Sequence, residues 1–155
     1  MGLDMYLTAE KYMSKYFDPA DGEKITKINE IFNLDGDDDR DYSAQSVIFR
    51  VAYWRKANAI HQWFVENVQG GVDECQKAHV EREQLEKLLD LCKQILEKPK
   101  KAEELLPTQS GFFFGSTGYG EYYMQDIANT VDRLTKILND PIFKSGMDFY
   151  YQASW

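Results

Sequence analysis

Cysteine is scarce in this chain, whose 155 residues carry only two, Cys75 and Cys92, with an amphipathic segment between them and no CxxC pair. That spacing argues against a disulfide framework. With histidine also limited to two copies, no paired Cys or His set is present for zinc, so neither metal nor cofactor is expected. Long apolar runs are missing too, which leaves no segment able to cross a bilayer. The start, MGLDMYL, sets an acid where a signal peptide needs basic and then apolar residues, so the expected location is cytoplasmic. Positive charge is in deficit, with 18 Lys and Arg against 26 Asp and Glu and a net charge of −8, and direct binding to a nucleic-acid backbone is not expected. Proline is held to 4 residues, while 43% of the chain is apolar and 14% aromatic, enough to build one core. A single domain over 1–155 is expected.

Local periodicity predicts an α+β fold, a small mainly antiparallel sheet of three or four strands packed with three or four helices. Leu3, Met5, Leu7 and Ala9 alternate, as in a half-buried strand over 3–12. Ile25, Ile28, Ile31 and Phe32 recur at helical spacing after a turn at FDPADG, with Asp21 available as N-cap. SVIFRVAYW, apolar on both alternating faces, reads as a central strand that hands over near Tyr53 and Trp54 to a helix ended by Gly70 and Gly71. Ala78–Val80 suits a short strand. Leu85, Leu88, Leu89, Cys92, Ile95 and Leu96 stripe a long helix stopped by Pro99, and KKAEELLP is a linker or a single helical turn. GFFFGS, between two glycine-bearing turns, reads as a buried strand. A helix with Ile127, Val131 and Leu134 inward follows, and then an aromatic tail that must dock on the body or on another copy.

Chemistry-bearing patterns are sparse. DGDDDRD fails as an EF-hand because Arg40 and Ser46 stand where glycine and glutamate are required, so a solvated acidic loop is expected. GSTGYGEYY has the wrong spacing for a phosphate loop, and GFFFGS does not fit a nucleophile elbow. What GSTGYGEYY does offer is a turn opening a helix, where backbone N–H groups gather and attract anions, although simple capping by the same residues is the plainer reading. On a helix starting at Trp54, His61 falls on the inward stripe. It is either a core histidine satisfied by a backbone carbonyl or by Asn58, or a ligand contact or general base.

Three blocks, MGLDMYL, YWRKANAIHQWFVENVQGG and LLPTQSGFFFGSTGYGEYY, resemble a family of small proteins encoded by bacteriophages and prophages. The resemblance implies residence in a bacterial host's cytoplasm and action on the host, with no catalytic residue assigned. The expectation is a non-catalytic binder that counters a host defence or regulatory system by capturing a nucleotide-like signal or a host protein. Its pocket would use Arg55, Asn58, His61, Gln109, Ser116 and Thr117, with Trp54 and Phe114 as walls. Two alternatives stand beside it: an acidic imitator of DNA, and a nucleotide-directed hydrolase or transferase using His61. Large aromatics on opposite sides of one helix favour a homodimer.

Overall fold

The computed structural model describes residues 2–34 and 42–155. DGDDDRD, expected as a solvated acidic loop and the motive for the DNA-imitation alternative, falls outside those residues. Backbone contacts group the chain into two compact units, Met1–Ala9 with Arg50–Trp155, and Glu10–Phe49. Its strands β1 (Asp4–Tyr12), β2 (Ser46–Arg55), β3 (Ala78–Val80) and β4 (Asp148–Ser154) form one antiparallel sheet in the order β2-β1-β4-β3. The α+β expectation is met.

The first unit holds the core. Met5, Leu7 and Ala9 of β1 and Phe149, Tyr151 and Ala153 of β4 turn one face of the sheet inward, and α2 (Asn58–Asn67), α3 (Arg82–Glu97) and α5 (Glu121–Asn139) contribute to the same core cluster. In α3 the stripe residues Leu85, Leu88, Cys92 and Ile95 are fully buried, each leucine contributing about 1.5–3 kcal/mol of transfer free energy. Burial also pushes the Cys92 thiol up to about 12, which leaves it inert. The Glu81 N–H donates to the Gln84 side chain at 2.8 Å, closing the N-terminus of α3. Beyond Pro99 comes one 3₁₀ turn and a single helical turn, α4 (Ala102–Leu105), which meets the expectation for KKAEELLP.

Two expectations are overturned. β2 is an edge strand: Ala52 and Trp54 are buried, but Tyr53, on the other face, is 44% exposed. Apolar character on both faces was not a sign of two-sided burial. The place expected for β2 is taken by the aromatic tail, whose Phe149, Tyr151 and Ala153 point inward while Asp148 and Gln152 point out, a strand period hidden by the run of rings. GFFFGS, finally, is a loop. Phe112 is 95% exposed, and the Phe114 N–H donates to Gly111 O at 3.2 Å, which folds the three phenylalanines into a turn. A strand needs a ladder partner, and among the described residues only the Leu3 N–H, bonded to Phe113 O at 3.2 Å, supplies one. The turn closes over Gly111, where a Cβ would stand 2.7 Å from the Phe114 ring.

The second unit carries α1 (Pro19–Ile31). Asp18, not Asp21, caps this helix, accepting from the Ala20 N–H at 3.0 Å. Asp21 is buried and accepts from Lys11 at 2.9 Å and Lys24 at 3.0 Å. Those two hydrogen bonds hold its carboxyl at about 2, below the ordinary 3.8. A depressed folded-state value means that the stabilisation is complete above pH ~4 and is lost as pH falls toward 2. Asp21→Asn should therefore be less stable than the native protein at pH ~7, with the difference shrinking below pH ~4 toward zero near pH ~2, as followed by circular dichroism; equal stability at pH ~7 would mean that the two bonds carry nothing.

Candidate functional site

The first turn of α2 begins later than its sequence suggests. β2 continues through Arg55, Lys56 takes a left-handed conformation at φ 59°, and Ala57 opens the helix with no side-chain cap. The Lys56 N–H donates to Leu3 O at 2.8 Å, which fixes this corner to the start of β1. The left-handed residue turns the chain sharply, so Arg55 and Lys56 lie beside the opening of α2 rather than within it. α5 likewise opens without a side-chain cap, at Gly120.

Both openings face one cavity of about 380 Å³, lined by Arg55 through Ile60, by Thr108, Gly115, Ser116 and Gly118 of the loop, and by the first two turns of α5 up to Ile127. Backbone N–H groups at the two helix starts bring partial positive charge to it. Arg55 and Lys56 add full charges and make no ion pair among the described residues. The loop passes so close that a Cβ on Gly115, at φ +87°, would stand 3.2 Å from Lys56 Cβ.

Asn58 builds the loop wall. Its buried amide donates to Phe114 O at 3.0 Å and Ser116 O at 2.9 Å, and its carbonyl accepts from the Gln109 N–H at 3.0 Å. Thr108 Oγ1 donates to Thr117 O at 2.9 Å, tying together two turns that the sequence placed at opposite ends of a strand. Ser116 Oγ accepts from the Gly118 N–H at 3.2 Å.

Of the eight residues expected in a pocket, the cavity brings together Arg55, Asn58 and Ser116. Gln109 and Thr117 belong to the same loop, bound through their backbones, but are not in the lining. Trp54 is buried with its indole N–H on Thr130 Oγ1 at 2.9 Å. His61 is fully buried, its Nδ1 at 2.7 Å from the Tyr151 hydroxyl and its Nε2 at 2.9 Å from Asp73 Oδ2, with Phe114 edge-on at 5.2 Å. Its partners are therefore a tyrosine and a carboxylate, not the backbone carbonyl or Asn58 expected for a core histidine. A carboxylate only accepts, so Nε2 carries a proton, while Nδ1 faces the Tyr151 hydroxyl, whose own pKa burial holds well above its ordinary value.

Sequence reasoning missed Asp126. It lies two turns into α5 in the cavity lining, and its carboxyl has no hydrogen-bond or ion-pair partner among the described residues. Burial raises it to about 6. A raised folded-state value means the ionised form is penalised; the penalty is absent below pH ~4 and complete above ~6, at up to roughly 2 kcal/mol. Asp126→Asn should accordingly melt higher than the native protein at pH 7.5 and level with it near pH 4, as read by differential scanning calorimetry.

Comparison of the chain with family models, with curated proteins and with solved structures finds no match in any of the three.

Proposed function

We propose that the protein acts by binding rather than catalysis, holding a small nucleotide-like anion in the cavity between the openings of α2 and α5, and that as a phage-type protein in a bacterial cytoplasm it withdraws a signal from a host defence or regulatory system. The observation that carries this reading is the convergence on one cavity of two helix N-termini without side-chain caps and two cations, Arg55 and Lys56, that make no ion pair among the described residues. Such a corner stabilises phosphate. At about 380 Å³ it suits a mononucleotide-sized molecule. Retention without turnover is favoured because the hydroxyls of Thr108 and Ser116 are engaged in holding the loop, and both ring nitrogens of His61 are committed to Tyr151 and Asp73.

The second reading is capture of a host protein, or pairing with a second copy as a homodimer. It is favoured by Tyr16, Phe17, Ile31 and Phe32 of the second unit, each more than two-thirds exposed. Incubation with a bacterial nucleotide extract, desalting, denaturation and mass spectrometry separates the cases. Release of unaltered nucleotide that is lost in the Arg55→Ala/Lys56→Ala double variant supports sequestration; altered nucleotide establishes an enzyme; no nucleotide at all leaves protein capture.

A further inference from the structure

Resting on the reading of this cavity as a ligand site, we propose that its ligand carries a guanine-type ring, held through Asp126, with its phosphate toward Arg55 and Lys56. The cavity is bipolar. Two cations, Arg55 and Lys56, and residues of two helix openings line it, and so does the carboxylate of Asp126, which has no partner among the described residues. A half-buried carboxylate gains from hydrogen-bond donors, and two oxygens side by side accept best from two adjacent N–H groups.

The nucleobases differ in what they present. Guanine offers N1–H and the exocyclic 2-amino group next to each other, a pair of donors matched to both carboxylate oxygens. Adenine and cytosine set one amino group beside a ring nitrogen that accepts, and uracil sets one N–H between two carbonyls; each would push an acceptor against the carboxylate. The walls suit a flat ring, since Ala57, Ala59, Ile60 and Ile127 line the cavity together with Tyr122, an exposed residue whose ring can stack. A phosphorylated amine would meet the same two charges but would leave those apolar walls unfilled.

Calorimetric titration of the full-length protein with GMP, IMP, AMP, CMP, XMP, phosphoethanolamine and inorganic phosphate tests the assignment. GMP is expected to bind at least tenfold tighter than IMP, which lacks only the 2-amino group, and than AMP or CMP. Asp126→Asn replaces an acceptor by an amide that also donates, so it should lose GMP and gain XMP, whose 2-oxo group accepts; a merely structural role for Asp126 would not reverse a preference. Equal binding of all the nucleotides, unaffected by the variant, overturns the guanine assignment while leaving nucleotide binding in place. Preference for phosphoethanolamine overturns it in favour of an amine. Absence of binding by every probe removes the ligand site itself and this inference with it. Should the variant not fold, the comparison of GMP with IMP on the native protein decides alone.

Discussion

Asn58→Ala is expected to lower stability by about 3 kcal/mol, or a melting temperature roughly 6–12 °C lower for a chain of this size, and to abolish ligand retention. The residue is small and its buried apolar area is slight, so the effect comes from hydrogen bonds. Three are lost together, to Phe114 O, Ser116 O and the Gln109 N–H. Each orphaned group costs ~1–3 kcal/mol when water cannot reach it, and the exposed positions of Gln109 and Ser116 let water recover part of the loss. Asn58→Asp should be at least as damaging, because it keeps an acceptor for Gln109 but turns a carboxylate toward two carbonyls. Hydrogen exchange locates the damage: protection of the Gln109 amide should vanish while the interior of α3 keeps its own. Uniform loss across both would mean that Asn58 supports the core rather than the loop.

How much of this was legible in the sequence follows from the range of the forces involved. β1, β3 and α3 were readable to within a residue or so, because alternation and the Leu85–Ile95 stripe are set by burial of one face, which is local information. The strand-to-helix corner at Arg55–Ala57 was readable as an event but placed early, since nothing in WRKA announces a left-handed lysine. The triple phenylalanine misled because hydrophobicity was allowed to stand for strand formation, whereas the segment's backbone is satisfied by the Asn58 side chain from 50 or more residues away. The same long-range bond drew Thr108 and Ser116 to one cavity. Arg55, Asn58 and Ser116 were found from polarity beside an aromatic segment. Asp126 was not, because one carboxylate on an amphipathic helix looks the same in sequence whether it faces solvent or a cavity.

Replacing His61 by alanine should cost about 3–4 kcal/mol, and the manner of the loss distinguishes packing from chemistry. The ring fills space against Phe114 and lies beside the stacked pair of Phe64 and Tyr151, whose centroids are 3.9 Å apart. Removing it opens a void and strands two polar groups. Asp73 still has the Trp155 indole N–H at 3.1 Å and is partly exposed, so water can serve its other oxygen. The Tyr151 hydroxyl has no such recourse, since Tyr151 is fully buried. Tyr151→Phe in the native background removes a bonded hydroxyl and should cost ~1 kcal/mol, leaving Nδ1 without its partner. In the His61→Ala background the same change removes an orphan, and should be neutral or stabilising. The cycle is therefore non-additive by ~1–2 kcal/mol in a stated direction, measurable by urea unfolding. Nucleotide retention per folded molecule should survive His61→Ala at a temperature where the variant is folded. Its loss there, with stability otherwise as expected, would return His61 to the ligand site.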